Sequence, residues 1–267
     1  MKISLFTQSL FALPLDEVIP ATVACGYPAM ELACTGPHLD LDTARRRGSD
    51  LAAAARDAGL EVSALSLFNS LTEAGRLEAQ LTEAEEFIAL APVFGAAVVK
   101  LTPGAPASAE ATQAHWDCLA RALPRLIAAA EGAGVRLAFE THMRQLTDTL
   151  AGSLRLLELA ASDTVGLTVD FSNLVFAGED LAEAIPLLAG RMYNAHVKNG
   201  RIGADGSWQF LALDTGLTEY ADVLPLAAAA GYEGYLAVEC LGADAKTDPV
   251  GTARRDREIL TRYLERI

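Results

Sequence analysis

The sequence predicts an α/β fold, a single (β/α)8 TIM barrel over residues 1–267. Three observations point there. Short β-rich runs alternate strictly with longer Ala- and Leu-rich segments of helical period, eight of each, which implies parallel strands with helical crossovers. Eight repeats match a closed barrel better than an open sheet. No Pro-, Gly- or Ser-rich linker divides the chain, so one domain is expected.

The first strand is ISLFTQS at 3–9. The N-terminus lacks a small-residue cleavage site, so this stretch reads as a strand rather than a signal peptide. A helix near 15–25 leads to AMELAC at 29–34. The next helix, near 43–58, stops at Gly59 before EVSALSLF at 61–68. Helices near 76–94 and 110–132 stop at Gly95 and Gly134, ahead of AVVKLT at 97–102 and VRLAFE at 135–140. Glycine suits a helix C-cap followed by a tight loop. Asp148 and Asp180 are placed to cap helices near 148–161 and 180–190, which flank VGLTVD at 165–170 and precede MYNAHV at 192–197. GADGSWQF, with Trp208, reads as a hairpin or lid insert. The last repeat is a helix near 218–230, Gly231 and GYLAVE at 234–239, with a final helix near 250–265.

Hydrophobic residues make up 51% of the chain, enough for a sizeable core at this length. No apolar run approaches the roughly 18 to 20 residues that span a bilayer, so a cytoplasmic protein with no membrane partner is expected. There are 21 Lys and Arg against 35 Asp and Glu, a net charge of −14. Such a surface repels phosphate backbones and argues against nucleic-acid binding. The last 14 residues hold five Arg, but these interleave with Asp256, Glu258 and Glu265 as on a solvated helix face. Cys25, Cys34, Cys118 and Cys240 are far apart and read as reduced, mostly buried thiols. The absence of GxGxxG after the first strand, and of GxxxxGK followed by Ser or Thr, disfavours dinucleotide and P-loop folds.

In such a barrel the chemistry sits where strands run out into βα loops. Four consecutive strands offer a ligand there: LAFE ends on Glu140, LTVD ends on Asp170, NAHVKN holds His196 and LAVE ends on Glu239. Any one alone is readily a loop acid, a helix cap or a core histidine. Three carboxylates and an imidazole gathered at one mouth would repel unless a cation neutralised them. Oxygen-rich donors with one nitrogen suit Mn²⁺ first, with Mg²⁺ or Co²⁺ as alternatives.

LAFETH, LTVDFSN, NAHVKN and YEGYLAVEC, in that order and spacing, resemble the xylose isomerase-like barrel superfamily. The stretch 214–239 resembles its last crossover. That superfamily includes sugar isomerases and epimerases, inosose dehydratases and endonuclease IV. The resemblance implies that Glu140, Asp170, His196 and Glu239 hold one divalent metal ion, and that Glu140 and Glu239 move the proton. The expected activity is therefore isomerisation or epimerisation of a sugar or polyol-derived ketose. Metal polarises a carbonyl, and an enediolate forms when the neighbouring C–H is deprotonated between two glutamates.

Further residues are candidates for substrate contact. His142 shares strand parity with Glu140 and can bond a hydroxyl. Lys198 shares the parity of His196 and can stabilise an oxyanion. Arg201 lies in a Gly-flanked loop, either holding substrate oxygens or solvated. Lys100 either reaches substrate or anchors a neighbouring acid. Phe6 and Phe68 read as core packing more than as walls over a sugar face. His38 lines the pocket or meets solvent, and His115 is structural. Two positions depart from the ketohexose 3-epimerases that the chain resembles. Asn173 stands where they carry His, and Leu146 where they carry Glu. Asn173 can still hydrogen-bond a hydroxyl.

Three other functions compete. A dehydratase of the inosose type adds a general acid near the leaving hydroxyl, a role open to His142 or Lys198. A non-catalytic sugar-binding or accessory subunit would keep the barrel without turnover. DNA repair conflicts with the net charge of −14 and the four histidines. The expected partner is a small sugar or polyol, with a homo-oligomer in view from its relatives.

Overall fold

Alternate residues of a barrel strand face inward and outward, and in this chain the two faces differ in chemistry. The computed structural model describes residues 1–267. Its strands are β1 (Lys2–Phe6), β2 (Ala29–Ala33), β3 (Glu61–Ser66), β4 (Val98–Leu101), β5 (Arg136–Glu140), β6 (Val165–Asp170), β7 (Met192–Val197), β8 (Asn199–Ile202), β9 (Trp208–Leu211) and β10 (Tyr235–Val238). All but β8 and β9 close a parallel barrel in the order β1-β10-β7-β6-β5-β4-β3-β2. β8 and β9 form a separate antiparallel hairpin. The helices are α1 (Leu15–Ala24), α2 (Leu41–Asp57), α3 (Leu77–Phe94), α4 (Gln113–Ala133), α5 (Leu150–Ala160), α6 (Phe171–Phe176), α7 (Leu181–Leu188), α8 (Tyr220–Ala229), α9 (Ala243–Thr247) and α10 (Pro249–Leu264). None is long and apolar enough to cross a membrane. All four cysteines are free and buried.

The core lies between strands and helices. Leu137, Phe139, Leu167, Val169, Ala195 and Val197 join helical residues such as Phe87, Ile88 and Leu119 in one cluster of 67 buried side chains. Inside the barrel the apolar groups are few and, Phe6 apart, small. Ala64, Val98 and Ala138 touch one another, as do Phe6, Ala33 and Ala237. Small inward residues leave room for long polar side chains at the barrel's upper end.

Several element ends follow from individual side chains. α3 and α4 stop at Gly95 and Gly134, with φ of 69° and 68°, the left-handed backbone that glycine adopts without a Cβ penalty. Asp180 caps α7 by accepting from Ala182 N at 2.8 Å. Asp148 is not the cap of α5. Thr149, one residue nearer the first turn, accepts from Gly152 N at 3.1 Å, while Asp148 accepts from Ser108 N at 3.1 Å. The first strand stops at Phe6, short of the expected 9. Thr7–Leu10 is a 3-10 turn in which side chains replace the ladder: Thr7 accepts from Ala33 N at 2.9 Å and Ser9 from Cys240 N at 2.8 Å. The third strand ends at Ser66, and Phe68 beyond it is 43% exposed rather than core.

One irregularity sets the site. The register of β6 on β7 shifts between Leu167, opposite Met192, and Thr168, opposite Asn194, so that Tyr193 is skipped. The shift brings Asp170 directly opposite His196. Gly166 permits it. A Cβ there would sit 2.4 Å from Arg191 O and 2.5 Å from the Tyr193 ring. Gly166→Ala is expected to cost about 2 kcal/mol in urea unfolding, the usual scale of overpacking. An unchanged midpoint would show that the bulge relaxes freely.

Candidate metal centre

β5, β6 and β7 deliver Glu140, Asp170 and His196 to one point. One potential ligand atom from each lies within 4.8 Å of the others. All are buried: Glu140 is 3% exposed, Asp170 and His196 0%. Asp170 ends β6 and also caps α6, accepting from Asn173 N at 2.9 Å.

Cations brace the cluster on two sides. Lys100 Nζ lies 2.9 Å from Glu140 Oε2 and donates to Leu67 O at 3.1 Å. Its ammonium also sits 4.6 Å from the Phe68 ring centre and 5.8 Å from that of Phe6. Lys198 Nζ lies 2.7 Å from Asp170 Oδ2 and 2.6 Å from Glu239 Oε2. Glu239, 6% exposed, therefore meets the group through Lys198 and is not one of the three clustered ligands. Main-chain bonds lock Lys198: the Tyr220 hydroxyl donates to its carbonyl at 2.6 Å and accepts from its N–H at 3.0 Å.

A fourth carboxylate, absent from the expected set, completes the cluster. Glu31 of β2 is 0% exposed. Its Oε1 lies 2.8 Å from His196 Nε2, and its Oε2 accepts from Asn194 Nδ2 at 2.8 Å. A charged residue inside the otherwise apolar AMELAC was the available signal, but attention to strand ends passes over it.

The electrostatics follow from these contacts. Burial opposes charge on Glu140, but Lys100 and the imidazoles of His142 and His196 hold it well below the usual carboxylate range. At Asp170 burial prevails over the pull of Lys198 and raises the carboxyl. Burial works against an imidazolium at His196, yet Glu31 and Glu140 hold it well above the ordinary imidazole value. Four carboxylates face two ammoniums, so with a neutral His196 the group carries two uncompensated negative charges. His196 Nδ1 is buried with no hydrogen-bond partner, and Asp170 Oδ2 has the Lys198 ammonium beside it at 2.7 Å. An unpartnered imidazole nitrogen among clustered carboxylates fits a divalent cation.

The remaining candidates divide. Asn173 is buried, donating to Thr141 O at 3.0 Å and facing Glu140 Oε1 at 3.5 Å, with its Oδ1 unpartnered. His142 is half-buried and donates from Nδ1 to Met143 O at 2.9 Å. Lys100 anchors a neighbouring acid, Glu140. Arg201 is exposed on β8, donating to Gln209 at 2.8 Å across the hairpin and not into the cluster. The same hairpin covers the mouth: Phe210 lies 5.9 Å from Lys198 Nζ, and Arg144 lies 4.4 Å from the Trp208 ring centre. His38 is 3% exposed and bonds Leu13 O at 2.9 Å. His115 closes a capping box with Thr112 at the start of α4.

Lys100→Met would leave Glu140 buried without its counter-charge. Removing one partner of a buried pair costs about 3 to 5 kcal/mol, so urea unfolding near neutral pH should show a loss of that size. A change under about 1 kcal/mol would mean that Glu140 takes up a proton in place of the ammonium at little cost.

A family model described as xylose isomerase-like TIM barrel matches residues 19–263. An inosose dehydratase of Geobacillus thermodenitrificans is 27% identical over 163 residues, 56% of this chain and 55% of that protein. The chain thus spans about half the length of the curated relatives it matches. A solved L-ribulose 3-epimerase is 23% identical with a TM-score of 0.81, over 99% of this chain and 94% of that one. The structure of an IOLI protein with a bound zinc atom is 16% identical with a TM-score of 0.86, over 100% and 99% of the two chains. At these identities the two structures speak for the fold.

Proposed function

The chain belongs to the xylose isomerase-like TIM barrel family, and from that premise we propose that it is a divalent-metal-dependent isomerase or epimerase of a sugar or polyol-derived ketose. The observation that carries this reading is the buried meeting of Glu140, Asp170 and His196 within 4.8 Å, with His196 Nδ1 unpartnered. These three residues would hold the ion, Mn²⁺ first and Mg²⁺ or Co²⁺ next, with Glu239 as the fourth ligand. A bound divalent ion supplies Lewis-acid polarisation of a carbonyl and offsets the charge that grows on its oxygen.

The chain's own residues move the proton. Glu140 and Glu239 come from strands three places apart around the barrel, β5 and β10. They can therefore address opposite faces of a carbon next to a ketone, one removing the proton and the other returning it. Lys100 keeps Glu140 ionised. Lys198 sits beside Glu239, and its ammonium would stabilise the oxygen that becomes negative. Asn173 Oδ1, buried and unpartnered, accepts from a substrate hydroxyl. His142 offers Nε2 at the rim. Phe68, stacked 6.2 Å from Phe6, presents an apolar face to the mouth.

One observation favours a second reading, a dehydratase. Lys198 Nζ is 2.6 Å from Glu239, which pairs an acid with a base on one wall. A leaving hydroxyl could take its proton from that ammonium. The partial similarity to inosose dehydratases points the same way. Incubation of the Mn²⁺-loaded protein with ketoses and inososes in deuterated water, followed by NMR, separates the two. Deuterium at the carbon beside the ketone without water loss supports isomerase or epimerase. Water loss selects the dehydratase. Neither exchange nor product across both substrate sets would defeat both.

A further inference from the structure

We infer that Glu31 is a positioning residue of the metal centre: it takes the Nε2–H of His196 and thereby makes Nδ1 the nitrogen that faces Glu140 and Asp170. This role presupposes the metal centre proposed above. β2 and β7 are not neighbours in the barrel, so the Glu31–His196 contact of 2.8 Å crosses the barrel interior. A carboxylate only accepts, so the nitrogen facing it must carry the hydrogen. The other nitrogen then offers its lone pair when the ring is neutral. That nitrogen, Nδ1, is 3.6 Å from Glu140 Oε1 and has no hydrogen-bond partner.

Two further contacts make the arrangement rigid. Asn194, on the same inward face of β7 as His196, donates to the second oxygen of Glu31 at 2.8 Å. Phe6, directly beside Glu31 in the β1–β2 register, lies 5.1 Å from the imidazole and limits its rotation. No Lys or Arg forms a salt bridge with Glu31; its one ion-pair partner is the imidazole. Burying a carboxylate carries a desolvation cost, and the rest of β2 is apolar. An apolar side chain would serve packing alone.

The test uses Glu31→Ala, Glu31→Gln and Glu31→Met, with Co²⁺ as the probe. Wild type labelled with ¹⁵N-histidine should show an exchange-protected, downfield imidazole N–H for His196, assigned by its loss in His196→Gln and distinct from the N–H that buried His38 donates to Leu13 O. The His196 signal should persist in Glu31→Gln, whose carbonyl oxygen still accepts, and vanish in Glu31→Ala and Glu31→Met. Co²⁺ affinity, read from visible absorption, should fall about 10- to 100-fold in the last two, the usual effect of losing an outer partner of a ligating histidine, and less than about 10-fold in Glu31→Gln. Urea unfolding identifies any variant that fails to fold, and Glu31→Met keeps the volume if Glu31→Ala does not. A protected His196 N–H that survives in Glu31→Met, or Co²⁺ affinity within about 3-fold of wild type there, would overturn the role. A wild type that binds no Co²⁺ defeats the metal reading instead, and the protected proton then decides alone whether Glu31 holds the ring.

Discussion

Changing Glu239 to Gln is expected to lower turnover about 10²-fold or more at saturating metal, the usual scale for losing a general base or acid. The amide is nearly isosteric, and its carbonyl oxygen can still accept from Lys198 Nζ, which lies 2.6 Å from the carboxylate. It can also still approach a metal. It cannot take up a proton. Glu140→Gln should lose as much for the same reason, with Lys100 and Asn173 still lining the side chain. The two variants should differ in kind. One retains exchange of the substrate C–H with solvent deuterium from the face it has kept, while neither completes an inversion. Steady-state rates across a Mn²⁺ titration make the check. If both glutamates only held the ion, excess Mn²⁺ would restore near-normal turnover in both.

Removal of the Asp170 carboxylate should have the largest effect on metal affinity. Asp170 is one of the three clustered ligand residues and is wholly buried. Asp170→Ala should weaken Co²⁺ binding by more than the roughly 10- to 100-fold that outer partners cost. It should also cost stability, about 1 kcal/mol through loss of the cap on α6 and more through loss of the buried contact with Lys198. Asp170→Asn separates the two effects, because Asn caps as well as Asp and its carbonyl oxygen still accepts from Lys198, which keeps Glu239 as its counter-charge, but it carries no charge itself. Near-normal stability with metal binding still lost is the expected result. Binding by Asp170→Asn as tight as wild type would remove Asp170 from the ligand set.

Much of this was legible because barrel strands in this chain carry their polar residue at the end of an apolar run. Glu140 and Asp170 close β5 and β6, and His196 has the inward parity of β7. What was missed depends on contacts between distant segments. Glu31 sits mid-strand, and its partners Asn194 and His196 are more than 160 residues away in sequence. Helix α6 was invisible because Asp170 both ends a strand and caps the next helix, leaving no loop to mark the change. The early stop of the first strand depends on Thr7 and Ser9 bonding backbone of β2 and of the segment after β10. Arg201 has the right type and neighbourhood for substrate, but the register of β8 on β9 places it opposite Gln209. The link from Glu239 through Lys198 to Asp170 needs three separate strand ends, and spacing alone does not show which acid a lysine chooses.

The most direct measurement is solvent-deuterium exchange into substrate by chelator-treated protein as Mn²⁺ is added back. With a ketose identified by the NMR incubation in deuterated water, exchange beside the ketone should be negligible without metal. It should then rise with added Mn²⁺ and break at one ion per chain, and Asp170→Ala should show no such rise. Exchange that proceeds at full rate in the chelated protein, or that ignores Mn²⁺ altogether, would contradict a metal-dependent proton transfer at this site.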